Sequence, residues 1–173
     1  MSILIISDTH GMVKEVQEVV DRHQTEVILH CGDFCVQQNL APFSSMELVQ
    51  GNCDFEKVPK EKVTRYKDLT IFQTHGHLYD VKSSLLRLHY KAEEVGANVV
   101  LFGHSHYPIC GIEKDVLFIN PGSLLMPRGF HTPSYAVLEQ LEVTEENVSV
   151  QVTFYNPKGV IINERGGQFL TRR

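Results

Sequence analysis

Apolar and polar positions alternate along this chain with periods that change from segment to segment. Residues 2–7, SILIIS, form an unbroken apolar run, the pattern of a central strand buried on both faces. In residues 11–24, GMVKEVQEVVDRHQ, the period changes: Met12, Val13, Val16, Val19 and Val20 recur at helical spacing with charges between them. EVILH at 26–30 predicts a second strand and SMELVQG at 45–51 a third. KVTRYKDLTIFQT at 62–74 predicts two strands with a turn near Lys67–Asp68. An amphipathic stretch at 81–95 predicts a second helix, capped by Asp80 and stopped by Gly96.

NVVLF at 98–102 and VLFIN at 116–120 predict two further buried strands. The last third changes character. YAVLEQLEV and NVSVQVTFY predict antiparallel strands joined around Thr144–Asn147, and the tail 157–173 is either an edge strand or loose. Strand–helix–strand order followed by a run of strands predicts a single α/β domain over residues 1–173, with two mixed sheets and few helices.

Composition narrows the function. The 173 residues are 42% hydrophobic and 21% charged, ordinary for a globular domain with its own core. A formal net charge of −5 without a long basic run argues against nucleic acid as a stable partner, but leaves room for a small phosphorylated substrate if cations supply positive charge locally. The four cysteines, at 31, 35, 53 and 110, form no C-x-x-C pair, so they read as free thiols of a reduced, cytoplasmic protein. The sequence predicts no signal peptide and no membrane span.

The chemistry gathers where the strands stop. SILIIS ends in Asp8-Thr9-His10, EVILH runs into Gly32-Asp33, and SMELVQ into Gly51-Asn52-Cys53-Asp54. LTIFQT ends in His75-Gly76-His77 and NVVLF in Gly103-His104-Ser105-His106. Singly, each is an ordinary turn, and His23, His77, His89 and His131 each read as solvated or simply hydrogen-bonded. Five such endings together are different. The carboxyl ends of strands in an α/β sheet share one edge, where ligands bind. The spacing i, i+2 in Asp8/His10 and His104/His106 puts both members on one side of an extended backbone. Carboxylates and imidazoles crowded at that edge are costly to desolvate unless they bind something, and a metal supplies the reason. Carboxylate, amide and imidazole ligands suit Mn, Fe, Zn, Co or Ni. Seven candidates exceed one tetrahedral site, so two ions sharing a carboxylate fit better.

In this order, Asp8-x-His10, Gly32-Asp33, Gly51-Asn52, His75-Gly76 and Gly103-His104-x-His106 resemble the calcineurin-like metallophosphoesterase superfamily. More narrowly, ISDTHG, HCGD, GNCD, THGH, GHSH and NPGS resemble its small YfcE-like phosphodiesterases, over residues 2–155. The resemblance implies a four-layer α/β/β/α sandwich. It implies two divalent transition-metal ions, manganese first, with nickel, iron, zinc or cobalt as alternatives. Asp8, His10, Asp33 and His106 would hold one ion; Asp33, Asn52, His75 and His104 the other, with Asp33 bridging. A water between the ions would attack phosphorus in line. Asn52 and Asp33 then belong to the catalytic set, and Asn52 also meets the substrate.

One position departs from the wider superfamily. Where many members carry histidine after Gly-Asn, a residue read as the proton donor, this chain has Cys53. A neutral thiol is a poor substitute. His77 is the candidate replacement acid, and the small phosphodiesterases commonly carry cysteine here. The NPGS segment reads equally as a strand-to-loop turn or, through Ser123, as a substrate contact, and Arg128 is a second candidate substrate contact. The expected function is a dinuclear-metal phosphodiesterase. The alternatives are a phosphomonoesterase of nucleotides or sugar phosphates and, from another class, a non-catalytic scaffold like the retromer subunit of similar fold. A homo-oligomer through the C-terminal strands is a further option.

Overall fold

The computed structural model describes residues 2–173. In chain order the elements are β1 (Ser2–Ile6), α1 (Val13–Arg22), β2 (Val27–His30), β3 (Glu47–Leu48), β4 (Glu61–Tyr66) and β5 (Leu69–Thr74). They continue with α2 (Leu86–Val95), β6 (Val99–Leu101), β7 (Ile109–Glu113), β8 (Val116–Asn120), β9 (Tyr135–Val143), β10 (Asn147–Tyr155) and β11 (Ile161–Arg172). One sheet has the order β11-β10-β9-β1-β2-β3, the other β4-β5-β6-β8-β7. Both are mixed: β1, β2 and β3 run parallel, as do β5, β6 and β8, while β9–β11, β4 and β7 pair antiparallel.

The alternation of side chains along β1 builds the layers. Ile3 and Ile5 face the second sheet and share a core with Ile71, Val99, Leu117, Ile119, Val150 and Phe154. Leu4 and Ile6 face the other way, under Val16 and Val19 of α1. On the far side, Phe72, Val100, Phe102 and Phe118 pack beneath Leu88 and Ala92 of α2. The result is the four-layer α/β/β/α arrangement. β1 reads as a continuous apolar run because both of its faces are covered.

Several boundaries move for local reasons. α1 starts at Val13, because Gly11 sits at φ +88° and the Met12 N–H closes a turn on the Thr9 carbonyl. α2 starts at Leu86 and not at residue 81. Asp80 adopts φ +53°, and its carbonyl accepts the N–H groups of Ser83 and Ser84, so it closes a turn where a helix cap was expected. Gly96 at φ +67° stops α2 as expected. β3 shrinks to two residues, since past Leu48 the Gln50 N–H leaves the ladder for the Pro59 carbonyl. The β7–β8 hairpin was missed. Its turn is Lys114-Asp115, both at positive φ, without the Asn-Gly signature that marks such turns in sequence. The tail becomes β11, an edge strand of the larger sheet. Buried Thr171 ties it across to the smaller one, with Oγ1 2.7 Å from the carbonyls of Asn98 and Asp115. Among the described residues no helix is long and apolar enough to cross a membrane.

Candidate metal centre

The carboxyl ends of β1, β2, β3, β5 and β6 come together at one edge of the sandwich. Cross-sheet bonds lock them there: Gln73 Nε2 donates to the carbonyls of His30 and Glu47, and the His75 imidazole meets the Cys31 carbonyl. The residues just past each strand are not extended. Asp8, His10, Asp33, His104 and His106 all lie at positive φ, between 44° and 65°. This corrects the expectation that i, i+2 alternation aims each pair. β1 ends at Ile6 and β6 at Leu101, and left-handed turns do the aiming. Non-glycine residues rarely take this conformation, and it gathers where surrounding structure holds functional groups in place.

The side chains converge. Ligand atoms of Asp8, His10 and His106 lie within 4.8 Å of one another, as do those of Asp8, Asp33 and His75. His106 Nε2 is 3.1 Å and His75 Nε2 4.0 Å from Asp8 Oδ1. Asp8 belongs to both trios, and Asp33 Oδ2, 3.3 Å from His75 Nε2 and 3.9 Å from His10 Nε2, reaches a histidine of each. Asn52 Oδ1 reaches His75 Nε2 at 3.2 Å. His104 stands further out, its ring centre 5.1 Å from that of His75.

Backbone carbonyls fix which nitrogen faces inward. His75 Nδ1 lies 2.7 Å from the Cys31 carbonyl and His106 Nδ1 2.7 Å from the Met126 carbonyl. A carbonyl only accepts, so each Nδ1 carries a hydrogen and each Nε2 points into the site. The carboxylates are held in the same way. Asp8 Oδ2 accepts from Ser7 Oγ at 2.6 Å and from the His104 N–H at 3.1 Å, and Asp33 Oδ1 accepts the Cys53 N–H at 2.8 Å. That leaves Asp8 Oδ1 and Asp33 Oδ2 for the centre.

Electrostatics follow from this packing. Burial pushes the Asp8 carboxyl up, but the neighbouring His106 and His75 imidazoles and the Ser7 hydroxyl outweigh it and hold it below the usual range. Asp33 is likewise pulled down, burial being outweighed by His75 and the Cys53 N–H. Burial lowers His75 and His106, yet Asp33 and Asp8 beside them raise both above an ordinary histidine. His104 goes the other way, to about 4, through burial and then the charge of His75. The site therefore presents ionised carboxylates and, at His104, a neutral imidazole.

Glycine makes two of these approaches feasible. A Cβ on Gly51 would sit 2.1 Å from Asp33 Oδ1, and one on Gly103 2.0 Å from Ser7 Oγ and 2.6 Å from Asp8 Oδ2.

The remaining expected residues fall in different places. His77 is half-buried, its ring centre 5.4 Å from that of His75, and burial with the His75 charge lowers its pKa. Arg128 is exposed, and its backbone N–H donates to the His106 carbonyl. Ser123, expected either to touch substrate or to form a turn, is fully buried and forms the turn. Its Oγ donates to the Asp8 carbonyl and accepts the N–H groups of Leu125 and Met126. It thereby fixes the loop that supplies the Met126 carbonyl.

Sequence reasoning left three supports unassigned: Ser7; Asn120, whose amide donates to the Gly103 carbonyl; and Asp54. The Asp54 carboxylate accepts the N–H groups of Asp33, Gly51 and Cys35 and so draws two ligand loops together. The sequence signals for them are closeness to assigned ligands for Ser7 and Asp54 and membership of the NPGS segment for Asn120.

The donor set fits a divalent metal. Asp8 is fully buried, yet its Oδ1 receives no well-aimed hydrogen bond, although His106 Nε2 lies nearby. A buried carboxylate oxygen without a donor, ringed by imidazole nitrogens, is what a cation completes. The profile of the calcineurin-like phosphoesterase superfamily domain matches residues 1–142.

The chain belongs to the calcineurin-like phosphoesterase superfamily. Among its relatives, the probable metallophosphoesterase YsnB of Bacillus subtilis is 41% identical over 162 residues, 92% of this chain and 93% of that protein. The phosphodiesterase YfcE of Escherichia coli is 24% identical over 192 residues, covering 91% and 100% of the two chains. A crystal structure of a conserved Streptococcus pneumoniae protein, described as a predicted phosphoesterase, superposes with a TM-score of 0.87 at 32% identity. That superposition covers 99% of this chain and 97% of the other. Relatives named metallophosphoesterases and the orphaned Asp8 oxygen point to the same cluster of side chains.

Proposed function

We propose that this superfamily member is a dinuclear-metal phosphodiesterase acting on a small phosphorylated substrate. The observation that supports this is two adjoining groups of ligand atoms, Asp8 with His10 and His106 and Asp8 with Asp33 and His75, with Asp33 Oδ2 in reach of both His75 and His10. Asp8, His10, Asp33 and His106 would hold one ion, and Asp33, Asn52, His75 and His104 the other, with manganese the first candidate. Two divalent ions would supply an acidified water as nucleophile and positive charge for the phosphoryl oxygens.

The chain's own residues do the rest. The Cys31 and Met126 carbonyls hold His75 and His106 in the tautomer that leaves Nε2 free to ligate. Ser7 and the His104 N–H turn Asp8 Oδ1 inward. Asn52, which is exposed, would meet a substrate oxygen, and the exposed Arg128 guanidinium is the candidate anchor for phosphate. Proton donation to the leaving group falls to His77 or to solvent. His77, lowered by burial, is mostly neutral near pH 7, so good leaving groups should be favoured.

The test is hydrolysis of an activated aryl phosphodiester, beside the matching monoester, by chelator-stripped protein titrated with Mn²⁺. Metal-dependent turnover favouring the diester supports the reading. Preference for the monoester replaces it with a phosphatase. Binding of metal with no turnover of either ester would favour the scaffold alternative.

A further inference from the structure

Cys53 occupies an unusual place. Its sulfur and the ligand atoms of His10 and Asp33 all lie within 4.8 Å of one another. Its backbone N–H donates to Asp33 Oδ1 at 2.8 Å, holding the loop against a carboxylate whose other oxygen is in reach of His75 and His10. The Asn52 amide nitrogen reaches the sulfur at 3.3 Å, while the amide oxygen faces His75. The side chain is exposed, on the open side of the centre. A second observation points to a cation beside the same His10: the fully buried Asp8 has an oxygen with no hydrogen bond, grouped with His10 and His106.

We propose that Cys53 is a sulfur ligand of the ion held at His10 and Asp33, giving this centre a mixed oxygen, nitrogen and sulfur donor set. The inference rests on the metal-centre reading above and adds to it a ligand outside the seven residues assigned there. On binding, the thiol gives its proton to solvent as the sulfur–metal bond forms, and no oxidant or reductant is involved. A thiolate favours zinc, cobalt and iron over manganese, so Cys53 biases the centre toward softer ions. The neighbouring thiol does not share this role. Cys35 Sγ faces the outer nitrogen of His10, Nδ1, at 3.7 Å, and the Cys53 carbonyl at 3.8 Å. Cys35 joins none of the groups of ligand atoms, whereas Cys53 joins His10 and Asp33.

The experiment uses the full chain stripped of metal and titrated with Co²⁺ and then, separately, with Zn²⁺ and Mn²⁺. Cobalt reports two things at once: visible d–d bands for any ligated ion, and near-ultraviolet charge transfer for a thiolate ligand. The expected result is both signals in wild type and in Cys35→Ser, with the charge-transfer band alone lost in Cys53→Ser. Zn²⁺ affinity should fall at least about tenfold in Cys53→Ser while Mn²⁺ affinity changes little, since losing even an outer-shell partner costs about 10–100-fold. Visible bands without charge transfer, or charge transfer that survives Cys53→Ser, overturns the sulfur ligand and leaves the centre standing. No cobalt spectrum at all overturns the centre and this ligand together.

Discussion

His106 joins Asp8 to a loop twenty residues further on: Nε2 sits 3.1 Å from Asp8 Oδ1, while Nδ1 meets the Met126 carbonyl at 2.7 Å. One imidazole thus meets a carboxylate from the turn after β1 and a backbone oxygen from the segment after β8. His75 repeats the relationship between Asp33 and the Cys31 carbonyl. In both, the inner nitrogen faces a carboxylate oxygen, a contact that either a proton or a cation can satisfy.

Metal binding should therefore release protons. Asp33 and Asp8 raise His75 and His106 above their ordinary value in the metal-free protein, so a bound ion must displace what those nitrogens hold. Mn²⁺ affinity should weaken on acidification, by about tenfold per pH unit for each proton displaced. Calorimetric titration at pH 8 and pH 6, in buffers of differing ionisation enthalpy, measures both effects. A pH-independent Kd with no proton release would contradict it.

Asp33 faces both ligand groups. Asp33→Asn removes the charge but keeps the Cys53 N–H contact, so the fold should persist. Metal-dependent diester turnover should drop at least about a hundredfold. Circular dichroism beside the rate assay separates a lost centre from a lost fold.

Ser7 acts at one remove, through its 2.6 Å bond to Asp8 Oδ2. Ser7→Ala should lower metal affinity about 10–100-fold, with rates recovering at saturating metal. Unchanged affinity would assign Ser7 to packing alone.

Gly51→Ala should fail at the site. Its Cβ would overlap the Asp33 carboxylate and the Asp33 backbone nitrogen, 2.1 and 2.4 Å away. Loss of about 1–3 kcal/mol in urea unfolding, together with lost metal binding, is expected.

His30 makes stability depend on pH. It is fully buried, with Nε2 2.9 Å from Thr9 Oγ1 and Nδ1 accepting the Gly32 N–H. Burial, only partly opposed by Asp8, pushes its pKa from 6.5 down to about 3. The unfolded chain then binds a proton that the folded protein refuses, so this contribution is lost as pH falls from about 6.5 toward about 3. The urea midpoint of metal-free protein should drop between pH 7 and pH 5. The drop should shrink in His30→Asn, and an equal drop in both would remove His30 as the cause.

The sequence by itself determined which side chains could form the centre and where the strands end. Both are local properties. SILIIS and NVVLF must be buried on two faces, and Asp8 with His10, and His104 with His106, must come just past their ends, as Asp33 does past EVILH. Short-range steric rules likewise placed Gly96 at the end of α2 and the turn at Thr144–Asn147. Only the tertiary structure decided how the ligands aim. The left-handed turns at five of them persist because packing and cross-sheet bonds hold a backbone conformation that is unfavourable locally. The partners that set tautomer and direction come from distant segments: Met126 for His106, Cys31 for His75, Ser123 for the Asp8 carbonyl, Asp54 for Gly51 and Asp33 together. Backbone carbonyls carry no sequence signature, and a serine reads the same whether its oxygen meets substrate or a turn. Ser123 was legible as a residue near the centre, but its burial against three backbone groups exists only once β1 and the loop after β8 have met.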